Sequence, residues 1–141
     1  MLPPLKADAR ERYESRKMGL SQEEIDKIDK AGMKHVVEYE IKNNRNPEPM
    51  EHTNKGYDIE SYDNNGKLLR FIEVKSKKDN WDDFNVELSS SQFDFAREKG
   101  KSFYLYVVDN VFSDSPRIYE INDPANRATG YLFDPPWAET E

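Results

Sequence analysis

Asp58 and the run Glu73-Val74-Lys75 are the residues whose types and spacing could do chemistry. Two carboxylates suit a hard divalent cation such as Mg²⁺ or Mn²⁺. Such an ion takes oxygen ligands, often only one or two of them carboxylates, and completes its shell with water and substrate phosphate. The carbonyl of Val74 would be a further ligand. Metal-assisted hydrolysis of a phosphodiester needs a Lewis acid on a phosphoryl oxygen and an activated water. A lysine in the same place stabilises the negative charge that develops and helps to orient the water. The competing reading of Glu73 and Lys75 is a solvated strand face with an ion pair between neighbours.

Bringing Asp58 to Glu73 requires a hairpin, and the stretch from Gly56 to Lys75 reads as one. Asn65-Gly66 predicts a two-residue type I′ turn, closed by Asn64 and Lys67, because both central positions then need positive φ. The resulting ladder sets Asp58 opposite Glu73, Glu60 opposite Phe71 and Tyr62 opposite Leu69. Period-two alternation puts Asp58, Glu73 and Lys75 on one face and Ile59, Ile72 and Val74 on the other. Directly opposed side chains stand about 5 Å apart, where like charges destabilise. A divalent cation between the two acids resolves that conflict.

Ser21 to Glu24 is a capping box, so a helix is predicted from near Gln22 to about Lys42, with Gly32 as a weak point. At about 100° per residue, Met33, Val36, Val37 and Glu40 share one face. Glu40 therefore lies on the apolar stripe, where an unpaired charge is costly. Either it snorkels or pairs with a lysine or arginine at the helix end, or it is a further acid for the site. Asn43 to Lys55 reads as a loop, and Phe84 to Leu88 alternates as a third short strand. Ser89 with Gln92 is a second capping box, opening a helix to about Lys99 that Gly100 stops. Ser102 to Asp109 is an aromatic and β-branched run predicted as a buried strand, and Arg117 to Ile121 as an edge strand. The order is helix–three strands–helix–strand. It predicts an α/β fold in which an antiparallel meander gains a fourth strand by a crossover, giving a mixed sheet flanked by helices.

The totals bound the rest. A length of 141 residues suits one domain. Residues 1–20 form a tail with a peripheral helix at Ala7 to Met18, 21–124 the core, and 125–141 an extension in which Pro135-Pro136-Trp137 lies against the surface. With no cysteine, disulfides and thiolate metal sites are excluded. No apolar run or signal pattern points to a membrane, which fits a cytoplasmic protein. A net charge of −7 argues against non-specific coating of nucleic acid but leaves room for a local basic patch. Lys75, Lys77 and Lys78 form such a run, read as phosphate contacts or as solvated charge. Gln92 is a helix cap or a member of the site. Ser89, Ser90 and Ser91 have no histidine or aspartate arrangement for nucleophilic catalysis. His35 and His52 read as surface residues, and Phe103, Tyr104 and Tyr106 as sheet packing.

Asp58 and Glu73-Val74-Lys75 in this order of elements resemble the PD-(D/E)XK nuclease superfamily. More closely, AGMKHVVEYE, GYDIES, RFIEVK, LSSSQFDFA and FYLYVVDN resemble the NO VEIN C-terminal domain family, over about Ala31 to Pro124. The resemblance implies a restriction-endonuclease-like three-layer core. It makes Asp58 and Glu73 metal ligands, Lys75 the catalytic lysine and Glu40 the acid of the first core helix, and it places Gln92 at the start of the second helix. Some nuclease relatives carry the helix acid about two turns earlier, where this chain has Lys34. The implied function is a Mg²⁺- or Mn²⁺-dependent endonuclease domain acting on DNA in a defence or restriction setting, possible as a homodimer and beside a helicase-like or ATPase partner. The alternative is a nuclease-like module that no longer cuts and binds DNA or a protein partner.

Overall fold

The computed structural model describes residues 19–51, 53–54, 56–81 and 85–128. Helix α1 spans Gln22–Lys42, and Ser21 caps it by accepting the N–H of Glu24. Its buried residues, Ile25, Ile28, Gly32, Val36 and Glu40, recur every three or four positions. That spacing is the single stripe an amphipathic helix turns to a core. The helix ends in a Schellman motif around Asn44 at φ 62°. The Arg45 N–H reaches back to the Glu40 carbonyl, and the Asn44 N–H to that of Ile41.

Five strands follow: β1 (Asn46–Pro49), β2 (Ile59–Tyr62), β3 (Leu68–Ser76), β4 (Phe103–Asp109) and β5 (Arg117–Asn122), with helix α2 (Ser90–Lys99) between β3 and β4. They form one sheet in sequence order, antiparallel except where β3 pairs with β4. The long buried strand β3 is its centre. Ile72, Val74 and Ser76 face α1, whose Val36 and Ile28 share a core with Ile72, Tyr106 and Val108. Phe71, Glu73 and Lys75 face α2, whose Phe95 packs edge-on to both Phe71 and Phe103. The fold is therefore the three-layer α/β arrangement, with a mixed sheet between two helices.

Two expectations are corrected. The third strand of the meander is Asn46–Pro49, a stretch that reads as loop, and not Phe84 to Leu88, of which residues 85–88 are irregular. Prolines mislead here. The Met50 N–H donates to the Asp58 carbonyl, so alternation sends the backbone nitrogens of Pro47 and Pro49 outward from an edge strand, where no donor is needed. Val86, Glu87 and Leu88 are only half-buried, and both edges of β3 are already occupied.

The second correction concerns the turn. Gly66 has φ 81°, but Asn65 has no positive φ, so the reversal is not type I′. The Gly66 N–H donates to the Asp63 carbonyl, and the Asp63 N–H to that of Lys67. Asp63 Oδ1 also accepts from the N–H groups of Asn65 and Lys67. This is a three-residue loop, a type I turn with glycine in the left-handed position. Tyr62 consequently pairs with Leu68 and not with Leu69, which is bulged out and 37% exposed. The bulge absorbs the extra loop residue. Ser61 then pairs with Arg70, Glu60 with Phe71 and Ile59 with Ile72, the register expected for the part of the ladder leading to Asp58.

The Ala7 to Met18 helix and Pro135-Pro136-Trp137 lie outside the described residues. Among the described residues, no helix is long and apolar enough to cross a membrane.

At Gly32 α1 comes close to the sheet: a Cβ there would stand 1.7 Å from Ser76 Oγ and 2.6 Å from Ser76 Cβ. Gly32→Ala gains about 1 kcal/mol of helix propensity but overpacks the contact. We expect a net loss of about 1–3 kcal/mol in chemical denaturation, most of it recovered in Gly32→Ala/Ser76→Gly. An unchanged midpoint for Gly32→Ala would show that the contact yields.

Candidate active site on the helix α2 face of the sheet

Glu73 and Lys75 are two residues apart on the central strand, so both side chains point to α2. They are almost closed to solvent, at 4% and 6% exposure. Their charged groups stand 3.8 Å apart. Gln92, also buried, comes in from the first turn of α2, and its Oε1 accepts from Lys75 Nζ at 3.2 Å. The same oxygen accepts the Ser89 N–H at 2.8 Å, while Ser89 Oγ accepts the Gln92 N–H. The capping box and the contact to lysine thus share one atom, and the cap sets where the amine is held.

Asp58 immediately precedes β2, next to the ladder pair of Ile59 with Ile72. Its N–H donates to the Ile72 carbonyl, and its Oδ2 accepts the Val74 N–H at 2.8 Å. The carboxylate therefore takes the place of a strand carbonyl at the point where β2 begins. Asn54 Oδ1 accepts from the N–H groups of Gly56 and Tyr57. Tyr57 in turn stacks on Phe95 at 4.8 Å and meets Phe71 edge-on at 5.0 Å. Gly56 lets the chain pass this cluster, since a Cβ there would lie 3.0 Å from the Phe95 ring. Nothing in the local pattern of the sequence announces this clamp; it forms only once α2 lies on the sheet.

Glu40 does not join these residues. Val74 is aligned with Tyr106 in the parallel ladder and Glu73 with Leu105, so Tyr106 lies on the opposite face from Glu73. The Tyr106 hydroxyl donates to Glu40 at 2.9 Å, and Arg45 grips the Glu40 carboxylate with two bonds of 2.7 and 2.6 Å. The Schellman turn is what brings Arg45 back over Glu40. Of the alternatives weighed for this acid, pairing with arginine is the arrangement found. The network continues from Tyr106 to Arg70, from Arg70 to Glu120, and from Glu120 to Tyr39. Burial and the Glu40 charge push the Tyr106 phenol far above its usual range. Burial alone would raise the Glu120 carboxyl, but bonds from Tyr39 and Arg70 bring it below its ordinary value.

The remaining candidates divide. Lys77 is half-buried, with Nζ 3.5 Å from the Asn85 carbonyl, whereas Lys78 is exposed. His35 is half-buried: Nε2 lies 2.7 Å from the Val111 carbonyl, tying α1 to the loop after β4. His52 lies outside the described residues.

A second cluster escaped the sequence reading. Asp109, fully buried at the end of β4, accepts two bonds from Arg117, one from the Trp81 N–H at 3.1 Å and one from the Tyr119 hydroxyl at 3.4 Å. Burial pushes the Asp109 carboxyl up, but Arg117 and the Trp81 N–H outweigh it and hold the group below its usual range.

Asp58 and Glu73 match the donors a hard cation takes when it keeps positions for water and phosphate. The bond from Val74 orients Asp58 and commits one of its oxygens. Among the described residues, no group of three or more acidic, histidine or cysteine side chains could form a closed cage. Asp58 and Glu73 could hold such a cation only with water and substrate completing its shell.

The model of the Protein NO VEIN C-terminal domain matches residues 28–121, two thirds of the chain. The chain belongs to the NO VEIN C-terminal domain family. The matched span runs from the core helix α1 into β5 and contains Asp58, Glu73, Lys75, Gln92 and the Glu40 network. No curated protein and no solved structure matches the chain. For this family member, then, the chemistry must be argued from the site itself.

Two ion pairs give testable outcomes. Arg45→Met leaves Glu40 buried without its cation and should cost about 3–5 kcal/mol, while Glu40→Leu/Arg45→Met should cost much less; equal losses in urea unfolding would contradict this. For Asp109 the folded-state pKa is depressed. Its contribution is therefore complete above the unfolded value of about 3.9 and is lost as pH falls through the folded value. Arg117→Gln removes the main opposition to burial and leaves the Trp81 N–H, so its stability deficit should be larger at neutral pH than in acid. A pH-independent deficit would dissociate Asp109 from that pair.

Proposed function

We propose that this NO VEIN C-terminal domain is a metal-dependent endonuclease domain that hydrolyses DNA phosphodiester bonds. The observation that carries the reading is the convergence of Glu73, Lys75 and Gln92 on one sheet face, with Asp58 bonded to the backbone N–H of Val74, the residue between Glu73 and Lys75. It is supported by the position of the group toward the C-terminal end of the parallel β3–β4 pair, where open α/β sheets bind ligands. The order of elements and the acid-x-Lys spacing also match the PD-(D/E)XK pattern.

In this reading Asp58 and Glu73 hold Mg²⁺ or Mn²⁺, which when bound supplies Lewis acidity at the phosphoryl oxygen and a water of lowered pKa. The Val74 N–H keeps the Asp58 carboxylate from rotating away. Lys75 places a positive charge where negative charge grows on the transferred phosphoryl group. Gln92 fixes the amine by accepting a hydrogen bond from it. Lys77 and the exposed Lys78 follow the end of β3, where they would receive flanking phosphates. Work on both strands of a duplex would call for a second copy. A helicase-like or ATPase partner in a defence setting would deliver the substrate.

One observation favours a second reading, a nuclease-like module that binds DNA or a protein partner without cutting. Glu73 and Lys75 already neutralise one another in a nearly closed setting, so the pair can stand without a cation.

A titration with Mg²⁺ or Mn²⁺ separates the two. Metal at a hundredfold its Kd should stabilise the native chain by about 2.7 kcal/mol, and Asp58→Ala and Glu73→Ala should abolish the shift. Lys75→Ala should keep the shift but lower cleavage of plasmid DNA by about a hundredfold or more. No metal-induced shift, with no cleavage by the native chain, would discard the hydrolytic reading in favour of the binding module.

A further inference from the structure

The cluster around Asp109 lies on the same face as the candidate active site. Lys75 is aligned with Val107 in the β3–β4 ladder, and Val107 with Tyr119 in the β4–β5 ladder. These three residues form one row across the sheet, and residues in register share a face. Strands are spaced by about 4.8 Å, so the backbone of Tyr119 lies about 10 Å from that of Lys75. A short stretch of extended nucleic-acid strand bridges that distance.

At Tyr119 the row ends in an aromatic and cationic group. The Trp81 ring meets the Tyr119 ring at 5.0 Å, and the Arg117 guanidinium stands 5.4 Å from the centre of the Tyr119 ring. Trp81 is half-buried and the Arg117 side chain is 51% exposed. The buried carboxylate of Asp109 ties the group together through the Trp81 backbone N–H, the Arg117 guanidinium and the Tyr119 hydroxyl. The chain after β3 is also held along β4: the Lys77 N–H donates to the Val108 carbonyl and the Asn110 N–H to that of Asp79. Asn80 Oδ1 accepts from both Asn110 and Arg117. A ring with part of its surface open, flanked by a guanidinium and held from below, is what a stacking nucleobase requires.

We infer that Trp81, with Tyr119 and Arg117, is a nucleobase-stacking site for an unpaired nucleotide next to the scissile phosphate. The inference rests on the nuclease-like reading for the direction of the strand, but the ligand chemistry comes from the cluster itself. The charge balance bears on it. At a net charge of −7, phosphate attraction over the whole molecule is unfavourable. Contact with bases therefore has to contribute more of the affinity than in a basic nucleic-acid-binding protein. Sequence preference should be weak, since every base presents a π-face.

The test uses the full chain in metal-free buffer, with a short fluorescein-labelled oligothymidylate and an abasic strand of the same length. Both probes carry the same phosphates. The oligothymidylate should bind about 5- to 150-fold more tightly, the range for one stacking side chain. Trp81→Ala should bring the ratio to near one, and Trp81→Phe should retain most of it. In a Trp137→Phe background, the remaining Trp81 fluorescence should be quenched by oligothymidylate and not by the abasic strand. This reports on the site even if Trp81→Ala fails to fold. Equal affinity for the two probes, or an undiminished ratio in a folded Trp81→Ala, overturns the inference. Failure of the hydrolytic reading looks different: metal response and cleavage are absent while the base-dependent ratio and its loss in Trp81→Ala persist.

Discussion

Glu73 and Lys75 have to be charged residues on the central strand of a sheet, packed under a helix and nearly closed to water. Removing an isolated charge from water costs several kcal/mol even after relaxation, so neither can be accommodated alone. At 3.8 Å each reduces the cost of the other, and Gln92 supplies an acceptor for the ammonium group. Much of the local architecture follows. Helix α2 must begin where its first turn can offer that acceptor. The capping box at Ser89 makes it do so, and the aromatic contacts of Phe95 with Tyr57, Phe71 and Phe103 hold the helix down. Replacing such a buried pair by well-packed apolar residues is often neutral or stabilising, whereas removing one partner alone is costly.

The two faces of the sheet treat charge differently. On the α1 side Glu40 is enclosed by Arg45 and Tyr106, and the network runs on through Arg70 to Glu120. Bidentate geometry and shared acceptors give that face the form of a structural lock joining the end of α1 to β3, β4 and β5. On the α2 side Glu73 pairs with Lys75, Lys75 donates to Gln92, and Asp58 accepts the Val74 N–H.

The hairpin shows how a longer turn can leave the ladder beyond it in register. Asn65-Gly66 signals a reversal correctly, but Asp63 offers its side chain to two backbone N–H groups and so favours a longer loop. The surplus residue is expelled at Leu69, before the ladder reaches Asp58. A slip of one position would have turned Glu73 and Lys75 toward α1. The apolar demands of Ile59 and Ile72, both fully buried, make the bulge the cheaper solution.

Local patterns by themselves determined both helices with their caps, the buried strand β4, the edge strand β5 and the alternation that keeps Glu73 and Lys75 on one face. Each depends on interactions within a few residues, which spacing records directly. The stripe on α1 also placed Glu40 among apolar residues. Which side of the sheet received that acid was decided only by tertiary structure, because a helical stripe specifies burial and not which layer it meets. The role of Asn46–Pro49 as a strand, the Tyr57–Phe95 clamp and the gathering of Trp81, Arg117 and Tyr119 around Asp109 belong to the same class. Their partners are distant in sequence, and they become neighbours only after β3, β4 and β5 have taken their order.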